Sequence, residues 1–295
     1  MHLGPGKRPG ERSFLHALQG AWLLIQPPET ILLQALPAAL FAVVASPHGA
    51  LSRALRLFLA VIAVYGSIGA LNDYCDLDLD STSKPFKPLV RGLVTTRFAL
   101  WQALILGIAG MWLSIALNWT TAGFSAFILV LGIWYDFQAK RSILSWVPYV
   151  LGIPTLPLWG FAAAGKFEPR LLLAYPLGAL LSLALNMGNT LPDREKDAAF
   201  GLRALTHRLS LRAAVALMWV LYAGAIASFA AAAPVLHNNW SILTPGLGAG
   251  VVVLLLMIAD YLIFRTQGSL RRNWFAGGFL AVVTGLAWVA SLPRK

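Results

Sequence analysis

Residues 57–80 read LFLAVIAVYGSIGALNDYCDLDLD. Positions 57–71 carry no charge, whereas 72–80 carry four carboxylates: Asp73, Asp76, Asp78 and Asp80. A soluble amphipathic helix spreads its charges along one face for its whole length. An apolar stretch that runs straight into a group of acids has the pattern of a membrane span with polar chemistry at its end. Uncharged stretches recur at 99–117 and 248–259. The 295 residues are 58% hydrophobic and 12% charged, where soluble domains are typically about 25% charged. The fold class is therefore all-α, a polytopic membrane protein.

Breaking the apolar runs at charges and at Pro/Gly turns predicts about nine spans, near 22–46, 54–75, 97–117, 121–135, 145–164, 170–191, 212–233, 241–264 and 273–292. They are expected to surround a central cavity as a single domain over 1–295, with 1–20 as an amphipathic cytoplasmic arm. Pro27-Pro28 should kink the first span or split off a short piece. The fourth reaches full width only if it starts inside the preceding turn. With nine spans, only Arg53, Arg56, Lys166, Arg170, Arg294 and Lys295 of the 23 Lys and Arg fall on one face. The other seventeen share the face of the N-terminus. This asymmetry predicts a multi-pass protein of the cell membrane with a cytoplasmic N-terminus. It also accounts for most of the net charge of +11, so nucleic acid is not an expected partner. The single cysteine, Cys75, and five scattered histidines exclude an internal disulfide and a multi-cysteine zinc site. Residues 1–12 have no apolar core of the kind a cleavable signal peptide needs.

Seven of the twelve acidic residues fall in two segments, N72-D-Y-C-D-L-D-L-D80 and N189-T-L-P-D-R-E-K-D197. Both end spans on the cytoplasmic side of the predicted topology. Aligned on their asparagines they match: Asn72, Asp76, Asp80 and Asn189, Asp193, Asp197, each four apart. If each helix continues, these positions stack in a column of oxygen ligands. Asp73 joins the first column, while Asp78 and Glu195 point away. The repeat suggests two related halves, each supplying one wall of a shared site. Bare carboxylates packed together repel. Hard oxygen ligands without His or Cys favour Mg²⁺, with Mn²⁺ as the substitute, bound through a few carboxylates plus substrate phosphate oxygens. Metal ligands are thus expected at Asp73, Asp76, Asp80, Asn189, Asp193 and Asp197. Lys84, Lys87 and Arg91 follow the first cluster, and Arg194, Lys196, Arg203 and Arg208 the second, a mixture that suits a diphosphate.

These motifs resemble those of the UbiA superfamily of intramembrane prenyltransferases. The first cluster fits the family's N-D-x-x-D-x-x-x-D motif, and K84-P-F-K-P-L-V-R-G92 is similar to its Pro/Arg-rich continuation. The second fits D-x-x-x-D with Asp193 and Asp197 and continues G201-L-R-A-L-T-H-R-L209, similar to the family's Gly-x-Arg stretch. W134-Y-D-F-Q-A-K-R141 resembles its Tyr-then-Lys/Arg loop. There are departures: Thr190 stands where many relatives have Asp, Lys87 where many have Arg, Gln26 where Arg precedes Pro27, and Ala204 and Thr206 for Thr and Pro.

The resemblance implies Mg²⁺-dependent transfer of a prenyl group from an isoprenyl diphosphate to a hydrophobic, aromatic or lipid-like acceptor within the membrane, the chain lying among the helices with access from lipid. Lys84, Lys87, Arg91, Lys140, Arg141 and Arg203 would contact the diphosphate, and Asp76 and Asp193 would be central to catalysis. Tyr135 would face the allylic cation. Asn72 would orient a metal-bound water or the acceptor, or else bond a helix end. Asp136 is read as an i,i+4 ion-pair partner of Lys140, and Asp260 is left without a role. The Asp80-to-Lys87 spacing looks more like the branch using isoprenoid glycerol lipids, chlorophyllides or homogentisate-type acceptors than the 4-hydroxybenzoate branch. Two other classes stay open: a cyclase acting on the diphosphate without an acceptor, and an ion-coupled carrier. Carrier sites lie near the bilayer midplane, whereas these carboxylates cluster at one face.

Overall fold

The computed structural model describes residues 14–25, 28–46, 50–201 and 204–293; Gln26, Pro27, Arg203 and most of the predicted arm lie outside them. The described chain is helical with no strand. Its helices are α1 (Phe14–Leu24), α2 (Pro28–Ala45), α3 (Ala50–Cys75), α4 (Leu77–Ser83), α5 (Thr96–Ile115), α6 (Trp119–Phe137), α7 (Val147–Gly152), α8 (Thr155–Ala163), α9 (Ala174–Thr190), α10 (Arg194–Ala199), α11 (Leu211–Leu236), α12 (Trp240–Phe264) and α13 (Gln267–Ser291).

Eight stretches among the described residues are long and apolar enough to cross a membrane, and Thr30–Ala45 is a shorter ninth. A separate helix, α1, precedes it and ends at Leu24, and α2 then begins at Pro28, where proline fits the first turn of a helix. Helix α6 starts inside the preceding turn as expected. Asn118 caps it, its side chain accepting from the Thr121 N–H at 2.8 Å. The fifth predicted span differs from expectation. It is broken into α7 and α8 at Ile153-Pro154, where proline has no N–H to continue the ladder. Asp260 also gains an account: Arg272 donates to its Oδ1 through Nε and Nη2 at 3.0 and 2.8 Å, pinning the end of α12 to the start of α13.

The helices close a ring. Successive neighbours pack α2 on α3, α3 on α5 and α6, α9 on α11, and α12 on α13, while α13 returns to α2 and α9 and α8 fits against α2. Lipid supplies no hydrophobic drive between apolar helices, so small residues and buried polar contacts hold them. At Gly160 a Cβ would lie 2.7 Å from the Ala38 carbonyl, so only glycine lets α8 approach α2. Ser114 and Ser125 bond at 2.6 Å between α5 and α6, and Ser67 donates to the Ala103 carbonyl at 2.7 Å between α3 and α5. The ring encloses a cavity of about 820 Å³.

Candidate active site

The two acidic segments share one backbone device. Helix α3 ends at Cys75 and α9 at Thr190, and each chain bends before a short helix resumes. The bend residues are Asp76 (φ −100°, ψ 8°) and Asp193 (φ −103°, ψ 6°). Their near-identical dihedrals mean that the sequence repeat is a structural repeat. The ladder persists through the first bend, where Asp76 N–H reaches the Asn72 carbonyl at 2.9 Å and Asp80 N–H that of Asp76 at 2.7 Å; after the second bend it resumes with Asp197 N–H on the Asp193 carbonyl at 2.9 Å.

Asn72, Asp73 and Asp76 line one side of the cavity mouth, and Asn189, Asp193 and Asp197 also line it. Lys84 spans the two motifs, its Nζ 3.5 Å from Asp193 and 3.9 Å from Asp80. Asp80 is 1% exposed and lies behind the wall, with Lys87 Nζ at 2.6 Å. The straight column anticipated from the sequence is bent by the turn at Asp76, which carries Asp80 off the lining. Lys87 also donates to Asp73 at 2.7 Å. Burial pulls the Lys87 ammonium down, but Asp73 and Asp80 outweigh it and leave its pKa raised. Lys140, 8% exposed, places Nζ 2.6 Å from Asp76 and 4.0 Å from Asp136. Its closer partner is thus Asp76, and the i,i+4 pair is the longer contact. At the second wall, burial foremost and then Asp193 push the Asp197 carboxyl up to about 6.

A small satellite core holds the basic loop in place. Leu89 and Val94 pack with Leu24 of α1, Ala70 of α3 and Ala99 of α5. A Cβ on Gly20 would meet Val94 at 2.6 Å, so α1 sits directly on the segment that delivers Lys84 and Lys87. In the second motif Thr190 is not an open ligand: its hydroxyl reaches the carbonyls of Asn186 and Met187 at 3.2 Å each and bonds Thr206 at 3.1 Å. Two departures from the family pattern are therefore one contact. Arg194 is occupied by the Leu209 carbonyl, and His207 Nε2 bonds the Arg194 carbonyl at 3.1 Å, which ties the segment around 204–209 to α10.

The structure brings together Asn72, Asp73, Asp76, Lys84, Lys87, Tyr135, Lys140, Asn189, Asp193 and Asp197. Arg91 and Arg141 are exposed and off the cavity wall. Tyr135 lines the cavity edge-on to Tyr149, ring centroids 6.1 Å apart; Tyr74 is exposed. The Asn72 side chain donates to Asp136 Oδ1 at 2.9 Å. The sequence reading did not place Asp136, Arg271, Trp274 or His207 on the cavity wall, where all four lie. Beyond the mouth the lining turns apolar, through Ile68, Leu131 and Leu185, to a floor at Phe229 and Trp288, whose rings lie 5.7 Å apart.

Among the described residues no three Asp, Glu, His or Cys form a closed metal cage. The donor set still suits Mg²⁺, which binds through one or two carboxylates and takes its remaining ligands from water and phosphate. Carboxylates of both walls face the mouth, and each lysine there already answers the negative charge a cation would answer.

A ring of membrane-crossing helices around a lipid-sized cavity, with a carboxylate- and lysine-lined mouth, defines a multi-pass membrane protein built to bind an amphipathic ligand. The chain belongs to the UbiA prenyltransferase family, whose pattern matches residues 32–288. It is 30% identical over 163 residues to the digeranylgeranylglyceryl phosphate synthase of Natronomonas pharaonis, covering 53% of this chain and 58% of that one. It is 30% identical over 255 residues to the 4-hydroxybenzoate octaprenyltransferase of Xanthomonas campestris pv. campestris, covering 82% and 80%. Its fold matches a UbiA homolog from Archaeoglobus fulgidus bound to DMAPP and Mg²⁺, with TM-score 0.71, 17% identity and coverage of 89% and 99%.

Proposed function

We propose that this protein transfers a prenyl group from an isoprenyl diphosphate to a hydrophobic or aromatic acceptor inside the membrane, with Mg²⁺ as cofactor, and that residues 1–295 act as one domain with the N-terminus in the cytoplasm. The observation that carries the reading is the pair of bent Asp motifs on a mouth rich in lysine, above an apolar cavity. A diphosphate head and a prenyl tail divide along that same boundary.

Asp73, Asp76, Asp193 and Asp197 would hold the metal, with Asn189 beside them. Bound Mg²⁺ supplies positive charge against the leaving diphosphate. Lys84, Lys87 and Lys140 are poised to contact its outer oxygens, where charge grows as the C–O bond breaks. Asp80 holds Lys87 from behind, a supporting part that differs from direct metal binding. Tyr135 offers a ring face to the allylic cation without a trapping lone pair, and the apolar walls exclude water from it. Arg91 and Arg141 reach the ligand only by moving from their exposed positions, and they are the weakest members of the set.

The relatives act on acceptors of two chemical kinds, so the test supplies both. Purified protein is incubated with geranylgeranyl diphosphate, Mg²⁺ and either 4-hydroxybenzoate or geranylgeranylglyceryl phosphate, and products are identified by mass. A prenylated acceptor that vanishes in excess EDTA is the expected result. A cyclised hydrocarbon formed without acceptor would replace transfer by a lyase reaction, and full turnover in EDTA would refute the metal assignment.

A further inference from the structure

Asp136 belongs to neither Asp motif, yet it is an acid on the cavity wall. It sits near the end of α6 and is 1% exposed. Its two oxygens differ. Oδ1 accepts from Asn72 at 2.9 Å, whereas Oδ2 is buried with no hydrogen-bond partner among the described residues. The nearest lysine does not answer that need, because Lys140 approaches Asp136 only through Oδ1, at 4.0 Å, and sits 2.6 Å from Asp76. Buried carboxylate oxygens without a donor are rare, and each one asks for a reason.

The level of Asp136 in the bundle supplies one. Asn72 precedes Asp76 by one helical turn, about 6 Å farther from the mouth. Asp136, bonded to Asn72, therefore hangs just inside the level of the metal-binding carboxylates. A diphosphate seated on Asp76 and Asp193, with its tail toward Phe229 and Trp288, carries its reactive carbon C1 past this level. Any acceptor must meet C1 there.

We propose that Asp136 is the base that takes the proton released by the acceptor during prenyl transfer; this deepens the function proposed above and rests on it. The bond between C1 and the bridging oxygen breaks, and its electron pair leaves with the diphosphate. A hydroxyl oxygen or ring carbon of the acceptor gives an electron pair to C1. The product then carries one proton too many, and that proton passes to Asp136 Oδ2. Asn72 holds Oδ1 at 2.9 Å and leaves Oδ2, without a partner among the described residues, to take the proton. Water entering as products leave returns the carboxylate to its charged form. The competing account makes Asp136 only an anchor for Asn72 and a distant partner for Lys140.

Asp136→Asn separates the two, since the amide oxygen can still accept from Asn72 but the group cannot take a proton. Two rates are measured with geranylgeranyl diphosphate and Mg²⁺: diphosphate release without acceptor, and transfer to 4-hydroxybenzoate or geranylgeranylglyceryl phosphate. Diphosphate release should stay within about twofold of wild type while transfer falls about 100- to 10,000-fold, the range for loss of a positioned base. Asp136→Gly with added formate is the second measurement. Formate should restore part of the transfer rate and leave diphosphate release unchanged. Equal transfer by Asp136→Asn and wild type, a parallel fall of both rates, or no rescue by formate would overturn the assignment. If the wild-type chain itself neither releases diphosphate nor transfers, the donor reading fails, and that outcome is distinct from a failure at Asp136.

Discussion

Replacing Lys140 with alanine removes a buried ammonium, and replacing its neighbour Arg141 removes an exposed guanidinium; the two should behave differently. The Lys140 side chain is 7% exposed and its Asp76 partner 14%, with Nζ 2.6 Å from the carboxylate. In that shielded position a charge-assisted hydrogen bond contributes roughly 1.5–3 kcal/mol. At about 1.36 kcal/mol per tenfold in rate, its loss corresponds to about a 10- to 160-fold drop. The contact strengthens as the leaving group gains charge, so kcat and kcat/KM should fall together. Arg141 is exposed and off the cavity wall, where a membrane-edge cation tolerates exchange, so Arg141→Ala should stay within about twofold, or ~0.4 kcal/mol. Steady-state kinetics of both variants, normalised to folded protein by size exclusion and thermal melting, provide the comparison. Lys140→Ala within twofold of wild type would refute the reasoning, and so would equal losses in the two variants.

Three further outcomes follow from the geometry. Asp76→Ala and Asp193→Ala should each lose turnover by more than about 100-fold while the protein still folds; Asp193→Ala should melt close to wild type, and Asp76→Ala lower, because it strands the buried Lys140 ammonium; near-normal rates in either would reduce its motif to a charged edge. In a Cys75→Ser background, cysteines at 84 and 203 should be labelled from the cytoplasmic side and one at the exposed position 237 from outside, and labelling of 84 and 203 from opposite sides would break the span count. Phe229→Ala opens the cavity floor beside Trp288 and should cost about 3–5 kcal/mol in stability while shifting preference toward longer prenyl diphosphates; an unchanged chain-length profile would show that the tail does not reach that floor.

Much of this arrangement was legible in the residues. The uncharged runs and the lysine and arginine asymmetry gave the spans, because a bilayer imposes length and charge rules a sequence cannot hide. The matched Asn/Asp spacing of 72–80 and 189–197 located both walls, and the structure repeats that spacing in the dihedrals of Asp76 and Asp193. What was not legible depends on contacts distant in sequence. Nothing local to Asp136 reveals Asn72, 64 residues away, and its i,i+4 relation to Lys140 pointed to the weaker of two lysine contacts. Arg271 looked like one more positive-inside residue, and only the return of α13 to the ring puts it on the cavity wall. Thr190 and Thr206 were separate oddities until their hydroxyls were seen to meet. The break at Pro154 was visible in principle, but hydropathy averages over it.

The two walls, alike in backbone, differ in ion pairing among the described residues, and with the proposed metal site that difference predicts where a cation binds before any diphosphate arrives. At the first wall Asp73 and Asp80 share Lys87, and Asp76 holds Lys140, all within 2.7 Å. At the second, among the described residues, Asp193 has Lys84 at 3.5 Å as its ion-pair partner, and no lysine or arginine lies within ion-pair distance of Asp197. A divalent ion entering the first wall must displace a closely held ammonium, whereas at the second it relieves repulsion between two carboxylates. Opposite charges within a few ångströms in a partly buried site are the dominant energy here, and loosely paired acids gain most from a new one. Metal should therefore bind first at Asp193 and Asp197, and the first wall should become available when diphosphate oxygens draw Lys87 and Lys140 away. Mn²⁺ binding to the purified protein, followed by electron paramagnetic resonance without substrate, tests this directly. Asp197→Asn should weaken that binding at least about tenfold, a cost of about 1.4 kcal/mol, while Asp76→Asn leaves it nearly unchanged. The opposite ranking would show that the lysines do not guard the first wall.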